Sequence, residues 1–410
     1  MSYIQRAITP ILKQRVSTSK CMLLVGARQV GKSTLIKHEF KDFNRANFDD
    51  RLTRMQAKEE PKLFFLNNPK PLFINEVQKE SSILEDIKQI ADESDERGMF
   101  ILSGSQKLEL MKGMSESLAG RVSISELTGL SMREIYGVKF NRHFIPTDAY
   151  IKEREKEIVK YDNIWEIIHK GSYPELYDID RDWQEYYSSY VATYMERDIN
   201  ELVAADGIIF TKFLTAVAAR TGELLNYSNI AGDVGVSEPT IKNWISILER
   251  TGIVYLLQPY SASALKRAIK TPKLYFRDTG LACYLTRWLT ADTLKCSAVA
   301  GNMFETFVVS EILKSYTNEG KDYRFNIFYY RGKDRNASGE NEIDLVIEED
   351  GVLYPVEIKM SGNPKASMGA TNQVLDKVSD KKRGLGVILC LIDKKTYLRE
   401  NLVALPIEFI

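Results

Sequence analysis

Short apolar runs alternate with helical stretches in the first part of the chain, up to about residue 135. The apolar runs are CMLLVG (21–26), PLFINE (71–76) and MFILSGS (99–105), and each ends in small or acidic residues. This alternation is typical of an α/β domain with a parallel sheet. Because open α/β sheets bind ligands beyond the carboxyl ends of their strands, we expect a site at these three strand ends.

The pattern changes in the rest of the chain. Residues 150–225 predict helices rich in aromatic residues, and residues 224–260 predict three short helices followed by a β-rich piece. A long helix over NMFETFVVSEILKSY (302–316) then leads into four strands of a small mixed sheet. Those four strands are predicted from the runs IFYYRG, NEIDLVIEE, VLYPVEIKM and LGVILCLID.

Composition restricts the class of protein. The 410 residues are enough for two to three domains, at roughly 150 residues per domain. Lys plus Arg equals Asp plus Glu, at 56 each, so any nucleic-acid surface must be a local patch. No apolar run reaches the length of about 18 residues that a membrane span needs, and MSYIQRAITPILKQR lacks the apolar core of a signal peptide. The four cysteines and three histidines are scattered without zinc-site spacing. We therefore expect a cytoplasmic protein with reduced thiols and no membrane partner.

A phosphate-binding loop is the most specific motif of the chain. GARQVGKS (26–33) matches G-x-x-x-x-G-K-[ST] in full and lies between an apolar strand and a helical pattern. In such loops backbone N–H groups face the phosphates, the lysine contacts the β- and γ-phosphates, and the hydroxyl ligates magnesium. The alternative is a strand–helix turn with a surface lysine. We predict ATP and magnesium as cofactors, with ligands drawn from Gly26, Ala27, Arg28, Gln29, Val30, Gly31, Lys32, Ser33 and Thr34.

Further nucleotide contacts are predicted at the other strand ends. P-loop ATPases usually carry Asp-Glu at the end of the second of these strands, whereas this chain has Asn75-Glu76. Glu76 keeps the candidate catalytic base, but Asn75 in the magnesium shell lacks the negative charge that favours the cation, so binding should survive while turnover slows. Ser105 is a candidate γ-phosphate sensor. Arg121 is a candidate arginine finger acting on a neighbouring subunit of a homo-oligomer, with a structural arginine as the alternative.

The pattern of residues 224–260 is typical of a helix-turn-helix. Tyr227–Asp233 would form the first helix, Val234–Val236 the turn, and Ser237 the N-cap of a second helix over Glu238–Arg250. Residues 253–260 and 265–276 would form the strands of a wing. If the second helix binds DNA, its natural contacts are Lys242, Asn243 and Arg250, with phosphate contacts from Lys266, Arg267 and Lys270 on the wing. The wing also carries Lys273 and Arg277, and its basic residues together favour DNA binding. The alternative is a winged helix used only for protein packing, since the second helix has few basic residues.

Acidic and basic residues meet on two strands of the C-terminal part. Glu357 and Lys359 lie two residues apart, so both project from one face of their strand, where Asp344 of the preceding strand can meet them. Two carboxylates can hold magnesium, and the lysine can orient or deprotonate the attacking water. This set resembles the core of PD-(D/E)XK nucleases, and Glu305 on the upstream helix matches that superfamily's frequent additional acidic residue. The alternative is a degenerate fold in which these residues form a salt-bridged cluster.

The order of motifs along nearly the whole chain resembles one family of bacterial and archaeal AAA+-like ATPases with a C-terminal domain of unknown function. The resemblance rests on YIQR (3–6), GARQVGKSTL (26–35), FINEVQK (73–79), ILSGSQ (101–106), SESLAGRVSISELTGLSMREI (115–135), GSYPEL (171–176), YVATYMERDI (190–199), PKLYFRDTGLACYL (272–285) and NMFETFVVSEI (302–312). It implies an α/β chain with an AAA+-like ATPase domain over 1–145, a helical lid over 146–215, a winged helix over 216–290 and a mixed α/β nuclease-like domain over 291–410.

Two functions follow. The first is an ATP-regulated protein that binds DNA through its winged helix and cuts or grips it through its C-terminal domain. The second is a nucleotide-dependent switch that works through protein interactions, with a catalytically inactive nuclease-like fold. Asp344, Glu357 and Lys359 favour the first, whereas the sparsely basic second helix and the neutral net charge favour the second.

Overall fold

A computed structural model describes residues 3–104, 118, 120–178, 181–193, 206–261, 271–333, 340–378 and 380–410. Its helices are α1 (Thr9–Thr18), α2 (Lys32–Glu39), α3 (Arg51–Glu59), α4 (Pro61–Asn67), α5 (Ile83–Asp92), α6 (Met132–Ile135), α7 (Asp148–Arg154), α8 (Ile164–Lys170), α9 (Glu175–Asp178), α10 (Trp183–Tyr190), α11 (Gly207–Ala218), α12 (Tyr227–Val234), α13 (Glu238–Arg250), α14 (Thr279–Leu285), α15 (Ala291–Lys295) and α16 (Ala300–Asn318). Its strands are β1 (Cys21–Val25), β2 (Asn44–Asn47), β3 (Leu72–Asn75), β4 (Phe100–Gly104), β5 (Val122–Glu126), β6 (Glu223–Leu224), β7 (Val254–Leu257), β8 (Lys273–Phe276), β9 (Ile327–Lys333), β10 (Glu340–Glu349), β11 (Val352–Lys359), β12 (Lys382–Arg383), β13 (Gly386–Cys390), β14 (Thr396–Arg399) and β15 (Leu402–Pro406).

The N-terminal part is built on a parallel sheet, as the sequence predicts. Its five strands lie in the order β2-β3-β4-β1-β5, and every neighbouring pair is parallel. The strand β1 is fully buried and lies between β4 and β5. Its side chains alternate between two faces, because Met22 and Leu24 join one hydrophobic core while Cys21, Leu23 and Val25 join another.

The predicted strands of this sheet are confirmed, but two more strands form its edges. The edge strands are β2, with sequence NRAN, and β5, with sequence VSISE. Both carry exposed or half-buried polar residues, because an edge strand is covered less completely than a central one. The hydrophobic pattern that identifies central strands is therefore weak in them.

The described residues of the range 207–276 form three helices and a small antiparallel sheet. The elements follow the order α11-β6-α12-α13-β7-β8, with β8 in the middle of the sheet. Gly235, with φ of 86°, ends α12, and the side chain of Ser237 caps α13 by accepting from the Thr240 N–H. The two predicted helices and their turn are confirmed. The prediction of three helices within 224–260 is wrong, because the third helix, α11, precedes that segment.

The C-terminal part is a mixed sheet, as predicted. Its main path runs β14-β15-β13-β11-β10-β9, with β12 paired to β11. The predicted long helix is α16, whose side chains are buried along most of its length. The strands β14 and β15 were not predicted, because β14 is a largely exposed edge strand and β15 is a short apolar run that periodicity alone does not assign.

One hydrophobic core joins the three sheets. It contains side chains from one face of the first sheet, from the helices α7 to α16 and from the C-terminal strands. Among the described residues, no helix has the length and apolar character needed to cross a membrane.

A buried carboxylate, Asp278, connects α10 and the residues after α8 to the N-terminus of α14. Its Oδ2 accepts from the Ser172 backbone N–H (2.7 Å) and hydroxyl (2.8 Å). Its Oδ1 accepts from the Tyr187 hydroxyl (2.7 Å) and from the Leu281 N–H (2.7 Å), which caps the helix. All four partners donate, so this position requires two acceptor oxygens.

We therefore expect Asp278→Asn to destabilise the fold, because the NH2 group of the asparagine would replace an acceptor oxygen and would face groups that also donate. A buried polar group left without a partner costs about 1–3 kcal/mol. The free energy of unfolding should fall by this amount, and the unfolding midpoint in urea should fall with it. The matched control is Asp292→Asn, which makes the same change at an exposed residue. Equal unfolding midpoints for the two variants would contradict this role of Asp278.

Candidate functional site

The carboxyl ends of the central parallel strands bring the predicted nucleotide-binding residues together. The loop Gly26–Gly31 follows β1, Asn75 ends β3, and Ser103 lies near the end of β4. Neighbouring strands of a parallel sheet end at the same edge, so these residues, which are far apart in sequence, share one site.

The backbone of the loop has two positions that only glycine fits. A Cβ atom at Gly26 would lie 2.2 Å from the Leu127 carbonyl oxygen, which is an impossible contact. Gly31 has φ of 93° and starts α2 in the left-handed region. The loop is thus held against the segment after β5, and it ends at the N-terminus of α2, a position where anions bind well.

Lys32 lies inside the loop that it follows. Its Nζ donates to the carbonyl oxygens of Gly26 and Ala27, both at 2.9 Å, and the residue is 6% exposed. Burial lowers the pKa of Lys32 to about 8, although the nearby charge of Glu76 acts in the opposite direction. A phosphate group would supply the negative charge that this buried ammonium lacks.

Asn75 connects three strands by hydrogen bonds. Its Oδ1 accepts from the hydroxyls of Ser33 (2.7 Å) and Ser103 (2.8 Å), and its Nδ2 donates to Asn47 Oδ1 (2.9 Å). The predicted magnesium ligand Ser33 is therefore oriented directly by Asn75. Sequence reasoning missed Ser103 and Asn47, because their proximity depends on the strand order of the sheet.

Glu76 has an unusual backbone conformation for a residue with a side chain. Its φ is 55° and its ψ is 45°, in the left-handed region. Gln78 Nε2 donates to Glu76 Oε2 at 2.5 Å, and the carboxylate borders the same cleft as Lys32. The structure thus places the predicted base beside the phosphate loop.

An open cleft of about 800 Å³ adjoins the loop. It is bordered by Tyr3, Ile4 and Arg6, by loop and α2 residues from Arg28 to His38, by Asp49 and Glu76, and by Leu130, Pro174, Glu175 and Asp178. The rings of Tyr3 and His38 stack with centroids 3.8 Å apart. Thr34 also borders the cleft, which is large enough for a nucleotide.

Arg6 holds the phosphate loop in place through buried hydrogen bonds. It is 3% exposed, its Nη1 donates to the Val30 carbonyl (2.8 Å), its Nη2 donates to the Thr128 carbonyl (2.7 Å), and its Nε pairs with Glu134 (3.0 Å). This buried arginine fixes the phosphate loop relative to the segment after β5. The sequence pattern carried no signal for this role.

The two remaining nucleotide-site predictions fall elsewhere. Arg121 precedes β5 at the amino edge of the sheet, opposite the phosphate loop, and its Nε pairs with Asp92. Arg121 therefore lies outside the site of its own chain. Ser105 lies outside the described residues.

The C-terminal prediction brings three side chains together. Lys359 Nζ lies 2.7 Å from Asp344 Oδ2 and 2.8 Å from Glu357 Oε2. Asp344 Oδ2 also accepts from the Ile358 N–H at 2.8 Å. Lys359 keeps about a third of its side chain exposed, so the cluster faces solvent through its lysine.

Glu357 is the buried member of this cluster. It is 4% exposed, and its Oε1 has no hydrogen-bond partner among the described residues. Burial, followed by the negative charge of Asp344, raises the pKa of Glu357 to about 8 even with Lys359 present. A cation at this carboxylate would relieve both effects.

Glu305 is close to this cluster but has other partners. Its Oε1 accepts from Lys273 Nζ (3.2 Å) and from the Tyr275 hydroxyl (2.5 Å), both on β8. Burial and the charge of Asp344 raise the pKa of Glu305. In the described part of the chain, no three or more acidic, cysteine or histidine side chains are arranged to hold a metal ion.

The residues of 238–277 that favour DNA binding in the sequence divide into two groups. Lys242, Asn243 and Arg250 are exposed on α13, where Lys242 pairs with Glu238 at 2.7 Å. Lys273 is buried in ion pairs with Glu305 and Glu342, and Arg277 pairs with Glu126 at 2.6 Å. Lys273 and Arg277 counted in the sequence among the basic residues that favour DNA binding, but both neutralise carboxylates inside the protein. Lys266, Arg267 and Lys270 lie outside the described residues.

Comparison with known proteins identifies the N-terminal part. Residues 18–136 match a family model described as an AAA domain. The chain contains an AAA-type P-loop ATPase-like domain. Residues 161–292 and 300–410 match two families that are each described as a domain of unknown function (DUF8612 and DUF4143).

Two relatives match most of the length of the chain. Uncharacterized proteins of Mycobacterium tuberculosis and Mycobacterium bovis are each 26% identical over 375 residues, covering 89% of this chain and 76% of theirs. Among solved structures, a Walker-type ATPase of Pyrococcus abyssi is 15% identical with a TM-score of 0.44, covering 68% of this chain and 94% of that one. AMPPCP-bound DnaA of Aquifex aeolicus is 13% identical with a TM-score of 0.28, covering 70% and 92%. Because both TM-scores are below 0.5, these structures give no information on the activity of this chain, which has to be inferred from its own site residues.

The position of Lys32 predicts the effect of its removal. Lys32→Ala should weaken binding of a fluorescent ATP analogue by about a hundredfold or more, because a buried charge-assisted contact to phosphate is lost. The control is Lys41→Ala, which removes an exposed lysine just beyond α2. Unchanged affinity in the Lys32 variant would contradict the assignment of the phosphate loop.

Proposed function

We propose that this protein is an ATP-binding switch with slow hydrolysis that controls DNA binding and magnesium-dependent DNA cleavage by its C-terminal part. The observation that carries the proposal is the convergence of Asp344, Glu357 and Lys359 in a chain that also has a complete phosphate loop. The site residues of both parts lie on or beside buried strands, which hold them in fixed positions.

At the nucleotide, each residue has a defined task. The loop N–H groups and Lys32 would bind the phosphates, and the Ser33 hydroxyl with its partner Asn75 would hold magnesium. When bound, the magnesium ion would neutralise negative charge on the phosphates. Glu76 would accept the proton of the attacking water from its place beside the loop.

Asn75 is the reason to expect slow hydrolysis. Its Oδ1 already orients Ser33, so the position keeps the geometry of the magnesium shell but not its charge. Substitution by aspartate would add a negative charge at the same atoms, and the amide of Asn47 could rotate to donate to it.

We therefore expect Asn75→Asp to raise the rate of ATP hydrolysis by about ten- to a hundredfold, the size of effect typical of groups that orient metal ligands. Phosphate release with magnesium and saturating ATP measures this rate. Asn67→Asp, which adds the same charge at an exposed residue of α4, should leave the rate unchanged. A rate in the Asn75 variant equal to that of the wild type would show that the missing charge is not limiting.

At the C-terminal site, Asp344 and Glu357 would hold a magnesium ion. Carboxylate oxygens are the ligands that magnesium prefers, and Glu357 Oε1 has no hydrogen-bond partner among the described residues. The ion would supply activation of water and neutralisation of the phosphate. Lys359, partly exposed beside both carboxylates, would orient the attacking water or stabilise the charge on the scissile phosphate.

DNA docking is the least specific part of the proposal. The element order α11-β6-α12-α13-β7-β8 supports a winged helix as the DNA-binding part, with Lys242, Asn243 and Arg250 on the exposed side of α13. With so few basic groups, this helix would bind DNA mainly without sequence specificity. Basic residues around the C-terminal site, such as Lys365 and Lys377, would add phosphate contacts.

Arg121 extends the proposal to assembly. Because it lies at the sheet edge opposite its own phosphate loop, it could stabilise the phosphates only in a neighbouring copy. A homo-oligomer that forms with ATP and is active only with Arg121 intact is therefore part of the proposed switch, and its setting is the cytoplasm.

The second candidate function is the switch without cleavage, and one observation favours it. Lys359 is paired with both carboxylates, as in a structural salt-bridged cluster. The cleavage experiment below decides between the two functions.

In the presence of magnesium or manganese, we expect the wild type to nick plasmid DNA, and ATP to change the rate. Lys359→Ala should lower the rate by about a hundredfold or more, as is usual when a group that positions or activates water is removed. Lys295→Ala, at an exposed lysine at the end of α15, is the control. No cleavage by the wild type, or equal cleavage by the Lys359 variant, would contradict the nuclease and support the switch without cleavage.

A further inference from the structure

Lys273 is a cation from one part of the chain that is buried against another. It lies on β8 of the antiparallel sheet, and its side chain is 5% exposed. Its Nζ lies 2.6 Å from Glu342 on β10 and 3.2 Å from Glu305 on α16. The lysine therefore joins the antiparallel sheet to the helix and strand that flank the C-terminal carboxylates.

The same strand supplies a second donor to Glu305. Tyr275 follows Lys273 by two residues, so both side chains project from one face of β8. The Tyr275 hydroxyl donates to Glu305 Oε1 at 2.5 Å, the same oxygen that Lys273 approaches. Two donors from one strand thus hold a single carboxylate oxygen.

Glu305 is nevertheless within electrostatic reach of the proposed metal site. Glu342, the other partner of Lys273, lies two residues before Asp344 on β10, so Lys273 brings Glu305 next to the strand that carries Asp344. The side chains of Glu305, Asp344 and Glu357 still do not form a three-ligand group among the described residues. The partners of Glu305 on β8 explain this separation.

We propose that Lys273 is a built-in counter-ion that occupies Glu305 and thereby keeps the C-terminal metal site at two carboxylate ligands. Release of Glu305 from Lys273 completes a three-carboxylate site that binds a divalent cation more tightly. Lys273 is thus a positioning residue, and it couples the antiparallel sheet to the state of the C-terminal site. The inference rests on the proposed metal site at Asp344 and Glu357.

Electrostatics and access both agree with this role. A fixed positive charge beside the carboxylates repels a second cation, and it satisfies Glu305 so that the carboxylate has no need of one. Lys273 and Glu342 border a groove of about 720 Å³, which Arg331 and residues at the start of α12 also line. The lysine therefore lies at the wall of a groove that is open to solvent.

The experiment measures manganese binding to the full chain without nucleotide, by calorimetry and by the metal-induced rise in Tm. In each background, Asp344→Asn serves to identify the binding that belongs to the C-terminal site. Lys273→Met should increase that affinity by about ten- to a hundredfold over the wild type, the range in which residues that contact metal ligands act. Lys273→Arg, which keeps the charge, should leave the affinity close to that of the wild type.

A second substitution separates release of Glu305 from simple removal of charge. In Lys273→Met/Glu305→Gln the gain in affinity should disappear, because the released ligand is no longer a carboxylate. A gain that persists in this double variant would overturn the proposal, since it would show only the effect of a missing positive charge.

Tyr275→Phe tests the same idea if Lys273→Met does not fold. It removes one hydrogen bond to Glu305 without changing the net charge, and a several-fold gain that needs Glu305 is expected. Equal affinity of the wild type and of the folded variants, with Asp344-dependent binding in all of them, would overturn the role of Lys273. Absence of Asp344-dependent binding in every protein would instead overturn the proposed metal site.

Discussion

A buried ion pair on α16 is the interaction on which the arrangement of the whole chain depends. Lys314 donates to Glu311 Oε1 (2.7 Å) and to the Leu130 carbonyl (2.9 Å), while Glu311 Oε2 accepts from the Met132 N–H (2.8 Å). A buried pair is tolerated when further hydrogen bonds satisfy both of its charged groups. Here the backbone after β5 supplies those bonds, so the helix and the ATPase-like sheet fix each other.

This contact gives the nucleotide site a direct physical connection to the C-terminal part. The segment after β5 touches the phosphate loop at Gly26 and is held by Arg6, and the same segment bonds to α16. Glu305 lies on that helix, beside the proposed metal site. A shift of the phosphate loop would therefore reach Glu305 through one helix, whereas Lys273 would transmit changes from the antiparallel sheet.

The sequence alone predicted those features whose residues are close in the chain or follow a strict period. The phosphate loop is one contiguous motif, and the i, i+2 spacing of Glu357 and Lys359 places them on one face of a strand. The hydrogen bonds of Asn75 to Ser103 and Asn47 could not be predicted, because they depend on which strands are neighbours. Lys273 and Arg277 counted in favour of DNA binding for a related reason, since a basic residue looks the same in sequence whether it faces solvent or a buried carboxylate.

In the proposed switch, nucleotide at the phosphate loop controls the C-terminal site, and α16 is the physical connection between the two. The most direct measurement is the rate of DNA cleavage with and without a non-hydrolysable ATP analogue, in the wild type and in Glu311→Gln/Lys314→Met, which replaces the buried pair by neutral residues of similar size. The account predicts that the analogue changes the rate of the wild type and has no effect on the double variant. Equal rates for the wild type with and without the analogue would contradict it.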